Sequence, residues 1–201
     1  MRVHVAVSLC LLAPAFASRA NPEDQAAQIF AALRAGPAGD PRPQIGQMLA
    51  ALDAAGLHNL GLAGTRAGEN DLQALAERKR VGSVRRLDLS RNPTLDARAM
   101  RTLSRSAHLT GLRSLDLTRC RLAEAEVYHL TRAAFWPGLV ELDLRENPIS
   151  EGSVRHLLDV PPPADLVALL LDGSRLGEPA RADLRRHYGD AVLFHTTAAP
   201  E

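Results

Sequence analysis

Aromatic residues are scarce in this chain, at 3% of 201 residues, and lysine is nearly absent, with Lys79 the only one. So few rings exclude the stacking platforms that single-stranded nucleic acid requires. Net charge is also missing: 24 basic residues, almost all Arg, face 23 acidic ones for a formal +1. That balance excludes the broad basic stripe of a nucleic-acid binder. The P-loop, a G-x-G-x-x-G after a strand, H-E-x-x-H and G-x-S-x-G are all absent, so no common nucleotide, zinc-protease or serine-hydrolase signature points to an enzyme or a cofactor. Two cysteines, Cys10 and Cys120, give no disulfide framework.

The longest weakly polar stretch, Val5 to Ala17, has thirteen residues and is too short for a transmembrane helix. It follows the positive Arg2 and ends in Ala15-Phe16-Ala17, with Ser18-Arg19-Ala20 as a second small-x-small site. This layout is that of a cleaved secretory signal over residues 1–20, and it predicts a secreted or periplasmic protein. The alternative is a cytoplasmic chain whose N-terminal helix stays attached. Losing Arg2 and Arg19 takes the formal charge from +1 to −1. Cleavage also leaves Cys120 as the single cysteine.

What is abundant is leucine at fixed spacing. Val84-Arg-Arg-Leu87-Asp-Leu89-Ser-Arg-Asn92, Leu112-Arg-Ser-Leu115-Asp-Leu117-Thr-Arg-Cys120 and Leu139-Val-Glu-Leu142-Asp-Leu144-Arg-Glu-Asn147 are near-copies. Weaker copies start at Leu57 and Leu166, so the starts 57, 84, 112, 139 and 166 recur every 27 or 28 residues. The pattern L-x-x-L-x-L-x-x-N/C is similar to that of leucine-rich repeat proteins, and the repeat length resembles their ribonuclease-inhibitor-like subclass. The resemblance covers Leu57 to about Asp190. It implies an α/β fold: a curved solenoid with parallel strands on the concave face and helices on the convex face. It also implies a binding scaffold rather than an enzyme, because in that family activity usually comes from an added domain.

Alternation along a strand turns positions one, four and six inward and positions three and five outward. Helices are predicted over Asp71–Arg80, Asp96–Ser106, Glu124–Ala134 and Glu151–Asp159, each with apolar residues three or four apart. Pro161-Pro162-Pro163 is expected to end the last of these. Residues 21–56 read as a helical N-terminal cap: one helix from Asn21, and a second from about Pro43 to Ala55 with Ile45, Met48, Leu49 and Leu52 on one face and Gly56 as its stop. The five repeats then occupy residues 57–178. Residues 179–201 read as a closing cap, a short helix and the run Ala191-Val192-Leu193-Phe194, followed by a loose tail from His195.

Position nine, filled by Thr65, Asn92, Cys120, Asn147 and Ser174, is expected to turn inward and bond loop backbone, so Cys120 is read as structural. His129 and His156, 27 residues apart, read as a stacked pair on the convex side. Trp136 is read as core, or as an anchor if exposed.

The concave face collects charge in the middle repeats: Arg86, Asp88, Arg91, Asp116, Arg119, Glu141, Asp143 and Arg145. Asp88, Asp116 and Asp143 should form a ladder with steps of about 4.8 Å. Such a ladder offers too few oxygens for calcium, and the neighbouring arginines offset its charge. The preferred expectation is a non-enzymatic protein-protein interaction module, monomeric, using this face for a protein partner, with no nucleic acid, metal or cofactor. The alternatives are an intracellular structural scaffold, or a hydrolase or cation site on the Asp ladder. Leu170 replaces the Asp of the other repeats and is read as covered by the closing cap, the alternative being a binding contact.

Overall fold

The computed structural model describes residues 42–55 and 57–195. The proposed signal segment, the helix from Asn21, the Gly56 stop and residues 196–201 lie outside them. Helix α1 (Arg42–Ala55) precedes an alternation of strands and helices: β1 (Asn59–Gly61), α2 (Glu69–Ala76), β2 (Arg86–Asp88), α3 (Ala97–Ser104), β3 (Ser114–Asp116), α4 (Glu124–Thr131), β4 (Glu141–Asp143), α5 (Glu151–Leu158), β5 (Ala168–Asp172), α6 (Glu178–Tyr188) and β6 (Val192–His195). The six strands form one parallel sheet in chain order. The protein is thus α/β, each strand–helix unit lying beside the previous one.

Register follows the leucine spacing. Asn59, Arg86, Ser114, Glu141 and Ala168, all at position three, pair in one row across the sheet. The residues at positions four and six, from Leu60 and Leu62 through Leu169 and Leu171, are at most 1% exposed. They pack against Leu72, Leu75, Met100, Leu103, Val127, Leu130, Val154 and Leu157 of the helices. In α1, Ile45, Met48, Leu49 and Leu52 are buried in the same core, as their helical spacing implied. Helices α2 and α4 start where Asp71 and Glu126 accept the Gly68 and Ala123 amides, and α3 where Asp96 accepts the Ala99 amide. These are side-chain caps that the first turn otherwise lacks.

The helices α2 to α4 end earlier than expected, at Ala76, Ser104 and Thr131. Short 3-10 turns take over at Lys79–Ser83, Leu109–Gly111 and Trp136–Gly138. Each turn buries one side chain, Val81, Leu109 and Trp136, three residues before Val84, Leu112 and Leu139, the first residues of the leucine pattern. Buried Pro163 holds the same place before Leu166, so the proline run acts beyond the helix and not at its end. Trp136 is therefore a register residue, and its Nε1 donates to the Pro161 carbonyl at 3.0 Å.

The loops that leave the strands come in two alternating kinds. After Thr65 and Cys120, Arg66 and Arg121 adopt φ of 56° and 60°. Those loops are closed by the next unit: Asn92 Oδ1 accepts the Ala67 amide, and Asn147 Oδ1 accepts the amides of Cys120 and Leu122. After Asn92 and Asn147 comes proline, which cannot adopt positive φ. Those loops close on themselves, Leu95 N to Asn92 O at 3.1 Å and Ile149 N to Asn147 O at 2.8 Å. They need no carboxamide from the next unit, which carries Cys120 or the exposed Ser174 at that place.

The C-terminal end differs from its expected form. Val192 to His195 is a sixth strand, paired with β5 through Leu169–Val192, Leu170–Leu193 and Leu171–Phe194. His195 therefore belongs to the sheet and not to a loose tail. Among the described residues no helix is long and apolar enough to cross a membrane.

Candidate functional site

The helices cover one face of the sheet. Among the described residues the other is open, and it carries positions three and five of each strand, the face that the charge pattern singled out. Its middle residues are held by their own backbone. Asp88 accepts the Ser90 amide at 3.0 Å, Asp116 the Thr118 amide at 2.9 Å and hydroxyl at 2.7 Å, and Asp143 the Arg145 amide at 3.0 Å. Each aspartate thus closes a turn at the end of its strand, which explains its recurrence at position five. The row Gly61, Asp88, Asp116, Asp143, Leu170 and Leu193 crosses the whole sheet.

Three predicted arginines are paired within the chain. Arg145 forks onto Asp143, with Nη2 at 2.6 Å from Oδ2. Hydrogen bonding to Asp143 raises the Arg145 pKa further above its ordinary value. Arg119 pairs with Glu146, and Arg86 reaches Glu141 at 3.4 Å across β3, where the Ser114 hydroxyl donates to the same carboxylate at 3.0 Å. These last two pairs are well exposed, so each contributes at most about 1 kcal/mol. Arg91, Arg119 and Glu146 sit beyond the strand ends, at φ of 58°, 59° and 58°. They form a rim rather than part of the sheet face. Gly64 takes the same turn at 66° without the Cβ strain.

Two arginines of this face were not among the sequence candidates. Arg85 and Arg113, at position two, donate to turn carbonyls of the next unit, Gly111 O at 3.2 Å and Gly138 O at 2.8 Å. Their signal was their equivalent position in adjacent repeats, but position two was not assigned a face. With Arg86 they make a basic band at the strand starts. The aspartates make an acidic band beside it, and Arg91 and Arg119 a second basic rim.

The open face is indented. A depression of about 470 Å³ is lined by Arg86, Asp88, Asp116, Glu141, Asp143 and Leu170 among others. A second of about 400 Å³ adjoins it and includes Arg85, Arg86, Arg113 and Glu141. Leu170 is half-buried in the first depression, and its strand neighbour Leu193 is 49% exposed. The C-terminal strand therefore lies beside Leu170 and extends the face as a pair of apolar residues, instead of covering Leu170 as expected.

The chain matches no known protein-family model and no curated protein. Among the described residues no group of three or more His, Cys, Asp or Glu is placed to hold a metal ion. Cys120 is buried, its Sγ on the Leu89 carbonyl at 3.1 Å, and burial pushes its pKa up from 9.0 to about 11. A thiol so held is a poor nucleophile at neutral pH.

Proposed function

We propose that this chain is a leucine-rich repeat protein whose strands line a concave face and whose work is to bind a protein partner there. The shared register of five position-three residues and the Asn–Cys bonding between units support the family reading. The observation that carries the function is the indented open face lined by Arg86, Asp88, Asp116, Glu141, Asp143 and Leu170. Its bands of opposite charge and its apolar end suit a folded partner with complementary bands, because such patterns set orientation and register. The aspartates serve their own strand-end turns and Arg145, which favours recognition over proton-transfer chemistry. For the segment before the fold, export with cleavage after Ala17 or Ala20 is the proposal. A mature N-terminus at Ser18 or Asn21, read by mass spectrometry, tests it.

The functional test is a cross-linking pull-down with wild type and a variant reversed at Arg86→Glu, Arg119→Glu and Arg145→Glu. Both chains should show the same far-ultraviolet circular dichroism, since these side chains lie outside the core. A partner captured by wild type and lost by the folded variant is the expected outcome. Equal capture by both contradicts the reading.

A further inference from the structure

On the opposite side of the sheet, α3 and α4 lie side by side and bring four basic residues together. Arg101 and Arg105 are one turn apart at the end of α3, and both are exposed. Position pairs four apart share a helix face. Arg132 ends α4 one stacking step further on, and half-buried His129 lies between. Burial lowers the His129 pKa first, and the like charges of Arg101, Arg105 and Arg132 lower it further, with Glu126 acting in the opposite direction. Among the described residues Arg101 and Arg105 have no ion pair, whereas Arg86, Arg119 and Arg145 on the open face each have one. Arg132 donates to the Tyr128 carbonyl and the Thr131 hydroxyl, neither an anion.

An aromatic ring borders this cluster at Arg132 and His129. Tyr128, Val167 and Leu193 are the exposed large hydrophobic residues of the described chain, and Tyr128 is at the Arg cluster. The Arg132 guanidinium lies 3.9 Å from its centroid. His129 and His156 stand edge-on to it at 5.3 and 5.2 Å. The two histidines that the repeat spacing placed together thus flank one ring. Exposed Tyr among Arg is the composition of interface anchors, and a ring locked between three neighbours has little freedom left to lose on binding.

We propose that Arg101, Arg105, His129 and Arg132, bordered by Tyr128, form a second interaction surface that takes a short acidic peptide segment. The guanidinium groups receive its carboxylates, and an aliphatic side chain of the peptide lies on Tyr128. The flanks limit the length. Glu77 stands at the end of α2, and Glu124 and Asp159 surround His156, at 3.5 and 3.8 Å from its ring nitrogens. A long phosphate polymer would run into these carboxylates on both sides, and a peptide a few residues long would not. The proposal does not depend on the open face, which lies behind the sheet.

The test uses the full chain and fluorescence anisotropy with three probes: short labelled Asp/Glu-rich peptides carrying one aliphatic residue, their Asn/Gln counterparts, and an oligonucleotide of equal length. The acidic peptides should bind, and the amide counterparts should not. Arg101→Glu with Arg105→Glu should weaken binding by about tenfold or more, and Arg101→Gln with Arg105→Gln by less. In wild type the bound peptide should raise the His129 pKa in a proton NMR titration, because it supplies the missing negative charge beside Arg101, Arg105, Arg132 and Glu126. No binding by any acidic peptide, equal binding by the Glu variant, or tighter binding of the oligonucleotide would each overturn the proposal.

Discussion

The thiol of Cys120 donates to the carbonyl of Leu89 at 3.1 Å, the place where Asn92 reaches Leu62 at 2.7 Å and Asn147 reaches Leu117 at 2.8 Å. Each bond ties one unit to the strand of the unit before it. The asparagines do more, because their oxygens also close the preceding loop. Asn147→Ala should orphan two buried amides and a set of carbonyls, and cost at least about 3 kcal/mol. Cys120→Ala removes only weak bonds and should cost about 1 kcal/mol. Urea unfolding of the two variants measures the difference.

Burial of the Cys120 thiol sets a pH dependence. Its pKa is raised from 9.0 to about 11, so the contribution to stability is complete below pH 9 and is lost as pH rises toward 11. Tyr188, buried and donating to the Leu157 carbonyl at 2.7 Å, is raised in the same direction by burial. Unfolding midpoints should therefore fall between pH 8 and 10.5, and Cys120→Ala should fall less steeply than wild type. In the folded state at pH 8, Cys120 should react with a thiol reagent only as fast as the protein opens.

Glycine 111 is tied to the Arg85 bond. A Cβ at Gly111 would lie 2.7 Å from the Gly82 carbonyl and 1.9 Å from the Arg85 guanidinium. The side chain can move but the backbone cannot do so cheaply, so Gly111→Ala should cost about 1–3 kcal/mol, and Arg85→Ala should relieve only part of it. Gly46, exposed on α1, would meet nothing within 4 Å. Gly46→Ala should stabilise by about 0.5–1 kcal/mol through helix propensity. Thermal or urea unfolding of these variants and the double variant checks both signs.

Trp136 fills the turn position that Val81 and Leu109 fill in other units, and it is 4% exposed. As the only Trp, it should emit at short wavelength in the folded protein and shift to the red on unfolding. Trp136→Ala should cost about 3–5 kcal/mol, visible as a lower urea midpoint by circular dichroism.

The strands and their faces were legible because strand side chains alternate and the leucines at positions four and six repeat unchanged. The row of Asp88, Asp116 and Asp143 was legible for the same reason. The turn closed by each of these aspartates was not, since it depends on local dihedrals. The sixth strand was hidden because Val192-Leu193-Phe194 lacks the leucine spacing of the earlier strands, and only the edge of β5 recruits it. The early helix ends were hidden because the apolar period continues into the 3-10 turns through Val81, Leu109 and Trp136. Those anchors keep the 27–28 residue spacing, so they could have been found by aligning the residues three before each start. The alternation of Arg66 and Arg121 with Pro93 and Pro148 was also visible as letters, but its meaning depends on the sign of φ.

The open face is the central claim, and Ser114 lies at its middle, bonded to Glu141 and in register with Arg86 on one side and Glu141 on the other. The most direct measurement places a photoreactive amino acid at Ser114, and separately at exposed Gln73 on α2, and identifies the cross-linked partner by mass spectrometry. The account predicts a defined protein adduct from Ser114 that disappears with Leu170→Glu and is absent from Gln73. The same adduct from Gln73, or none from Ser114 with a partner that still co-purifies, would contradict it.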